Sequence, residues 1–497
     1  MVTITYGTVK SHVSSDDPLE RKAVFHILDQ RLSYFKSGYF FSPMYSAGMW
    51  DGKQHFFSVT TGLLYSGFVT RALQILHREG ISYDLVGYPQ ALPGDGDISP
   101  IILPDGLTLY EHQSYAVRRV RQFSRGVLQI APNGGKTEVA AGVIDSYGIP
   151  PSVYFVPRVL LVDQVAARLE KRLRTRIGRV GGGFNQPNPS GVTVAMTHLT
   201  SQKIKGLAKA KARDRHKFDV NYVKKAEIII GDECHASSDA RYQVCIEACP
   251  APIRVLMSAT PFRKNEVERG FVQGYGGPLL AVVGNDELIE KKISAKPNVM
   301  FLEPKISVIN QAKYRLMDYR YALSECDERN QVMAALGRAF VANGLQILIM
   351  GTRVEHCKEI NRWIPEATIT HGSASNRKST EKKIRDGKVF CCISTAILDT
   401  GLDTPHIGGL VYAGGGSDEI RLEQTLGRIL RQNESKDKSP WFFDFLDSYH
   451  PVLKRHARVR HKFFLKHSNF NMAESFDLLP TGVYNYFMQE LSKFGVR

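Results

Sequence analysis

Gln129 to Thr137 read Gln-Ile-Ala-Pro-Asn-Gly-Gly-Lys-Thr, a set of residue types suited to holding phosphate. Gly134 and Gly135 let successive backbone N–H groups turn toward anionic oxygens where a helix begins. Lys136 supplies a point charge for the β and γ positions, and the Thr137 hydroxyl can ligate magnesium. Pro132 and Asn133 complete the loop, and Ile130 stands where the usual G-x-x-x-x-G-K-[ST] pattern has its first glycine. Alone, the stretch reads equally as a Gly-rich turn from strand to helix with no ligand.

It is followed by a second constellation. Ile228, Ile229 and Ile230 form a buried-strand run that leads into Gly231-Asp232-Glu233-Cys234-His235. Two carboxylates at a strand end point to a metal: Asp232 to hold magnesium, Glu233 to polarise a water for in-line attack on a γ-phosphoryl group. His235 reads as a coupling residue that senses the γ-phosphate. Together the two constellations imply ATP and Mg2+.

These loops need a scaffold of strands. From Leu107 to about residue 285, apolar runs at Gly126–Ile130, Ser152–Val156, Val192–Met196, Glu227–Ile230 and Arg254–Met257 alternate with helical stretches, the pattern of a parallel α/β sheet. A second series spans about 295 to 450, with strands expected at Gln346–Met350, Val389–Ser394, Gly409–Ala413 and Trp441–Phe445. The fold class expected is α/β: two tandem parallel-sheet lobes, RecA-like on the family resemblance described below, at 107–290 and 291–450, with a helical C-terminal extension at 451–497. Ahead of them, residues 1–86 read as a small α+β domain, binding or accessory in role, joined by a Pro- and Gly-rich linker at 87–106. In that domain Asp17 and Pro18 read as the N-cap and first position of a helix. Asp51-Gly52 reads as a tight turn between strands at Tyr45–Trp50 and His55–Thr60, and a helix spans Gly67–Arg78.

At 497 residues the chain is long enough for three or four domains, and 43% hydrophobic residues suffice to fold them. With 65 Lys and Arg against 49 Asp and Glu, the net charge of +16 favours a polyanionic partner. No apolar run is long enough to span a bilayer, and the start of the chain has no signal-peptide layout, so the expectation is a soluble protein of the cytoplasm, without membrane association. Seven cysteines with no C-x-x-C pair argue for reduced thiols rather than a disulfide framework or a zinc site.

Asp-Glu-x-His after a phosphate loop resembles the DEAD/DEAH-like superfamily 2 helicases, and further stretches are similar to that family's motifs in the same order. Tyr110 and Gln113 resemble its adenine-reading element. Pro157, Leu161 and Gln164 resemble a strand-gripping motif, and Ser258-Ala259-Thr260 resembles the motif that couples nucleotide state to lobe movement. In the second lobe Ser394-Thr395 and Thr400-Gly401-Leu402-Asp403 resemble motif V, and Gln424 through Arg431 resembles Q-x-x-G-R-x-x-R. The resemblance implies that Gly401 and Asp403 contact nucleotide and that Gln424, Arg428 and Arg431 act in hydrolysis. Arg428 and Arg431, three apart on a helix, share a face and are candidate arginine fingers. A basic helix face in water is the plainer reading of the same spacing.

Within the superfamily, the stretch from Phe41-Ser42-Pro43 to Gly48-Met49-Trp50-Asp51-Gly52-Lys53, with Gly62-Leu63-Leu64 and Gly67 after it, resembles the N-terminal segment of the UvsW-type recombination helicases of tailed phages. It departs at Met44, where those relatives carry a basic residue. The resemblance implies remodelling of branched DNA: branch migration, fork regression and unwinding in recombination, replication and repair. It also implies a monomer in the host cytoplasm, with recombination or single-strand-binding proteins as partners. Expected strand contacts are Arg158, Thr197, Arg353 and Thr395, with Trp50 as either a base-stacking platform or a core residue. The basic stretch 203–217 reads as a duplex-binding element or a solvated loop. An RNA-directed superfamily 2 enzyme, the motor of a restriction nuclease and an inactive DNA-binding scaffold are the rival readings.

Overall fold

The computed structural model describes every residue except 89–98, 210–213, 215–218, 263–264, 372–373, 375–376, 396–406, 431–438 and 495–497, and describes the backbone alone at 377, 378, 381, 385 and 428. The chain forms two compact units, Met1–Val283 and Gly284–Arg497.

The first unit begins with a four-stranded sheet in the order Leu63–Tyr65, Lys10–Ser15, Val2–Thr5, Tyr83–Val86. Two helices cover it, Pro18–Arg31 and Val69–Arg78. The first opens with Asp17 accepting a hydrogen bond from the Leu19 backbone N–H at 2.9 Å and with Pro18 in the first turn, where a missing N–H costs nothing. Val24 and Leu28 on one helix meet Val69, Ala72 and Leu76 on the other in a single apolar core.

The turn at Asp51-Gly52 closes a different hairpin from the one expected. Lys53–His55 pairs antiparallel with Ser33–Phe35, not with Tyr45–Trp50. Residues 36–52 make an excursion between the two strands, holding a short 3-10 turn at Tyr39–Phe41 and one helical turn at Pro43–Ser46. Pro43 forecloses a ladder hydrogen bond, and Gly38, Gly48 and Gly52 all adopt positive φ, so this stretch folds as turns.

This small domain is clamped onto the α/β lobe that follows. Phe56 packs edge-on against Phe271 with centroids 5.0 Å apart, and Tyr65 against Tyr275 at 5.2 Å. Gly67 lies so close to the helix Glu266–Gly276 that a Cβ there would fall 2.0 Å from the Gln273 carbonyl oxygen. Arg125 donates to the Thr8 carbonyl, and Tyr65 and Tyr275 both donate to Glu247 Oε1.

The lobe itself is an eight-stranded sheet in the order Phe184–Gln186, Gly178–Gly181, Val192–Met196, Ser152–Val156, Ile228–Asp232, Ile253–Ser258, Arg125–Ile130, Leu279–Val283. All neighbours are parallel except the edge pair Phe184–Gln186 and Gly178–Gly181. Helices on both faces bury it, so its central strands are continuous runs of Val, Ile and Leu. Lys203 and Lys205 belong to the helix Thr197–Lys209, not to a loop, and much of the rest of the basic stretch 203–217 lies outside the described residues.

The second unit holds seven parallel strands in the order Thr368–Thr370, Cys391–Thr395, Gln346–Gly351, Ile407–Val411, Trp441–Phe445, Asn298–Leu302, Asn471–Ala473. The last strand comes from the stretch expected to be wholly helical. The helix Thr481–Lys493 is equally integral, since it sends Val483, Phe487 and Leu491 into the main core of the unit. Beneath the sheet runs a buried ionic chain in which Arg460 grips Asp444 through two hydrogen bonds, at 2.7 and 2.9 Å, and Arg329 donates to Asp447 at 2.9 Å. His356 sits near Arg329 in the same interior, with neither ring nitrogen hydrogen-bonded. All seven cysteines are buried thiols. Among the described residues no helix is long and apolar enough to cross a membrane.

Candidate active site

Three adjacent strands of the first lobe, Ile228–Asp232, Ile253–Ser258 and Arg125–Ile130, run parallel and end on the same edge. The loops leaving that edge carry the phosphate-binding stretch, the acidic pair and Ser258. A doubly covered parallel sheet collects its functional loops at the carboxyl ends of its strands, which is why residues far apart in sequence meet here.

After Ile130 the chain turns through Ala131 to Gly135 and enters the helix Lys136–Ser146. The Gly134 N–H donates to the Ala131 carbonyl at 3.0 Å, while Asn133 and Gly135 take positive φ of 70° and 82°. Gly135 is required twice over: a side chain would be strained at that φ, and its Cβ would lie 2.1 Å from Gln113 Nε2. Gln113 is buried beneath the loop. Its Oε1 accepts from the Tyr110 N–H at 3.0 Å and its Nε2 donates to the Gly134 carbonyl at 3.1 Å. The amide expected to read a base thus also braces this loop, keeping a second N–H and a second lone pair, while Tyr110 stays exposed, its ring parallel to that of His112.

His112 was missed by the motif reading. Its Nε2 lies 3.0 Å from the same Gly134 carbonyl, and the signal available was only its place beside Gln113.

At the ends of the acidic and Ser258 strands the side chains form one network. Lys136 Nζ donates to Glu233 Oε1 at 3.0 Å and lies 3.8 Å from Asp232 Oδ1. The Ser258 hydroxyl donates to Glu233 Oε2 at 3.3 Å and sits 3.0 Å from His235 Nδ1, while the Thr260 N–H donates to Ser258 Oγ at 3.2 Å. Glu233 takes a left-handed φ of 50° at the strand end, an unfavourable conformation for a side chain that is not Asn or Asp.

Burial disfavours charge on all of these groups, and their neighbours decide the outcome. Burial lifts the Asp232 carboxyl, to about 6, against the pull of Lys136. Glu233 is penalised by burial as well, yet Lys136, His235 and Ser258 hold it below the usual carboxylate range. Burial would depress the Lys136 ammonium, but Glu233 and Asp232 outweigh it and raise it. The arrangement is a desolvated cation held by two acids of unequal acidity.

The residues fit a nucleoside triphosphate with its cation. The loop opens onto the N-terminus of an 11-residue helix, and Thr137 and Asp232 are hard oxygen ligands of the kind magnesium takes.

Other expected site residues are dispersed. Ala259 is buried and Thr260 partly so. Arg158 and Arg353 are exposed at the N-caps of the helices Val159–Leu173 and Val354–Trp363. Thr197 and Thr395 are buried, the first opening the helix Thr197–Lys209 and the second ending the strand Cys391–Thr395. Gln424 and the Arg428 backbone lie in the helix Glu419–Ile429. Gly401, Asp403 and Arg431 lie outside the described residues. Trp50 is half-buried and not part of the apolar core, with Nε1 donating to the Lys53 carbonyl at 3.0 Å and Lys36 Nζ over its ring at 5.6 Å.

Two family profiles match the chain: "Type III restriction enzyme, res subunit" over residues 106–263 and "Helicase conserved C-terminal domain" over 330–433. The DNA 3'-5' translocase XPB2 of Sulfurisphaera tokodaii is 22% identical over 381 residues, covering 67% of this chain and 81% of that protein. Among solved structures, Dbp5 of S. cerevisiae bound to RNA and ADP BeF3 superposes with a TM-score of 0.51 at 15% identity, covering 74% of this chain and 89% of that one. UvsW of bacteriophage T4 aligns over 95% of this chain and 99% of its own at 16% identity, with a TM-score of 0.43.

Proposed function

Because the chain belongs to superfamily 2 of the helicases, ATP-hydrolysing motors that move along nucleic acid, we propose that its track is DNA and that it remodels branched DNA. The observation that carries the motor chemistry is the network joining Lys136, Glu233, Ser258 and His235 at the ends of adjacent strands. A polyanionic track is favoured by the charge of +16, and DNA by the similarity to a DNA translocase. Branched substrates are favoured by the Gly48–Lys53 segment, which resembles UvsW-type helicases.

In this reading the loop N–H groups and Lys136 Nζ hold the β- and γ-phosphates, and Thr137 and Asp232 hold magnesium. The metal, when bound with the nucleotide, draws charge from the phosphate oxygens. Glu233 orients the attacking water and takes its proton on a carboxylate oxygen. Ser258 and His235, tied to that carboxylate, pass its state to the Ala259-Thr260 segment. Gln424, Arg428 and Arg431 answer charge on the transferring phosphoryl group, and Gly401 and Asp403 contact the nucleotide. Arg158, Thr197, Arg353 and Thr395 grip the strand backbone, which makes the grip independent of sequence.

Steady-state ATPase of the wild type and of Lys136→Ala, with no nucleic acid, single-stranded DNA, duplex DNA, a fork, a four-way junction and duplex RNA, tests the proposal when junction migration is scored alongside. Strong stimulation by branched DNA, with migration lost in the variant, supports it. Stimulation by RNA alone rules out DNA remodelling and leaves the motor intact.

A further inference from the structure

The excursion between Ser33 and Gln54 is unusual in what it leaves in water. Phe35, Phe40 and Phe41 are 50%, 57% and 81% exposed, and Met44 and Met49 are exposed beside them. A soluble surface does not normally gather large apolar side chains in one loop without a use for them. The rings are ordered with respect to one another. Phe35 and Tyr39 stack with centroids 4.6 Å apart, Phe40 and Phe41 lie 4.3 Å apart, and Tyr39 meets Tyr45 edge-on.

The charges around these rings are positive. Lys53 Nζ lies 5.1 Å over the Phe35 ring and Lys36 Nζ covers Trp50. The single acid of the excursion, Asp51, is internally satisfied: it accepts from the Lys53 N–H at 3.0 Å and meets His55 Nε2 at 3.0 Å.

A hollow of about 850 Å³ lies on the same domain, lined by Arg21, Lys22, His12, His26 and the hydroxyls of Thr60 and Thr61. The acid in its wall, Asp29, is taken up by His55 Nδ1 at 2.6 Å, so one imidazole joins the hollow to the aromatic excursion. Val13, Pro18, Phe25 and Val59 also line the hollow; its cations and hydroxyls suit phosphodiester oxygens, and exposed rings flanked by lysines suit the faces of unstacked bases. A duplex hides those faces; a single strand offers them.

We propose that the N-terminal domain binds a single nucleic-acid strand, with phosphates in the hollow lined by Arg21 and Lys22 and bases on the rings of Phe35, Phe40 and Phe41. It rests on the nucleic-acid reading above and names the strand form the domain takes.

The test uses the full chain and two strands of equal length and charge, oligothymidylate and an abasic tetrahydrofuran strand, with binding read by fluorescence anisotropy. Motor lobes that grip the backbone contribute equally to both, so the ratio of the two affinities isolates base stacking. The wild type is expected to prefer oligothymidylate by roughly tenfold or more. Phe40→Ala with Phe41→Ala is expected to bring the ratio toward one without changing abasic binding, and Arg21→Glu with Lys22→Glu to weaken both strands. These positions are exposed, and circular dichroism verifies that the variants fold. A ratio near one in a wild type whose ATPase responds to nucleic acid overturns the platform alone. A preserved ratio in a wild type whose ATPase ignores every nucleic acid sinks the motor reading and supports the platform. Strand binding unaltered by the Phe40 and Phe41 changes, with loss of self-association on gel filtration, makes the rings a contact between copies of the chain and overturns the proposal.

Discussion

Lys136 Nζ donates to Glu233 Oε1 across 3.0 Å, so the cation proposed to hold a γ-phosphate and the acid proposed to orient a water neutralise one another. Both are partly buried, so each gains from keeping the other or a substitute beside it. An incoming triphosphate is that substitute for the lysine. In the proposed mechanism its arrival would release Glu233, so that the acid is freed only when there is something to hydrolyse.

Glu233→Gln should therefore separate binding from turnover. The amide holds Lys136 less tightly, so affinity for a fluorescent ATP analogue is expected to equal or exceed that of the wild type. Turnover should fall by about 10²- to 10³-fold. A steady-state ATPase assay beside a nucleotide titration reads both, and weaker nucleotide binding would show that the pair does not restrain the lysine.

Ser258 stands between Glu233 and His235, at 3.3 and 3.0 Å. Ser258→Ala removes that bridge and the acceptor of the Thr260 N–H. The rate stimulated by nucleic acid is expected to drop by a larger factor than the unstimulated rate. Equal reductions of the two would mean that the hydroxyl serves hydrolysis and not its coupling.

Gly67 has no room for a side chain, because the atoms a Cβ would meet are backbone: the Gln273 and Gly274 carbonyl oxygens at 2.0 and 2.6 Å and the Gly277 nitrogen at 2.8 Å. Gly67→Ala should loosen the N-terminal domain from the lobe at a cost of roughly 1–3 kcal/mol. Faster proteolysis between the two under native conditions is the expected result, and an unchanged digestion pattern would place the strength of the junction in Phe56 and Phe271 instead.

His356 is buried in the second unit. Burial, and then the nearby Arg329 charge, push its imidazole down to about 3. Its folded pKa lies below its unfolded value, so the contribution is whole above that ordinary value and is lost as pH falls, since the unfolded chain takes up a proton the folded one refuses. Between pH 7.5 and 5 the loss attributable to this residue is about 2 kcal/mol. Urea unfolding at the two pH values should show a smaller difference for His356→Leu than for the wild type; an identical difference would mean that carboxylates account for all of the acid sensitivity.

The sequence disclosed the parts of the fold that are dictated locally. Ile228–Ile230 and Ser152–Val156 are legible because a parallel strand covered on both faces is an unbroken apolar run. Phe184–Gln186 and Asn471–Ala473 are edge strands of three residues, and Gly178–Gly181 is a short strand next to an edge; their conformation is borrowed from the neighbours they pair with, and no period marks them. The hairpin at Gly52 was legible as a turn but not in its partner strand, because Ser33–Phe35 lies across an excursion whose length the pattern does not encode. In the site, Lys136, Asp232 and Glu233 were visible as residue types at characteristic spacing. That Gln113 would also bond the Tyr110 N–H and the Gly134 carbonyl was not, since it depends on how closely one helix packs beneath one loop.

The contact that Phe56 and Tyr65 make with Phe271 and Tyr275 turns the N-terminal domain into an outrigger of the first lobe. A module hung on a flexible tether could stay on its strand while the motor cycles. This one has no slack between Gly67 and Gln273, so any strand on its rings is carried with the lobe at every stroke, and its spacing from the motor's own grip is set by a rigid arm.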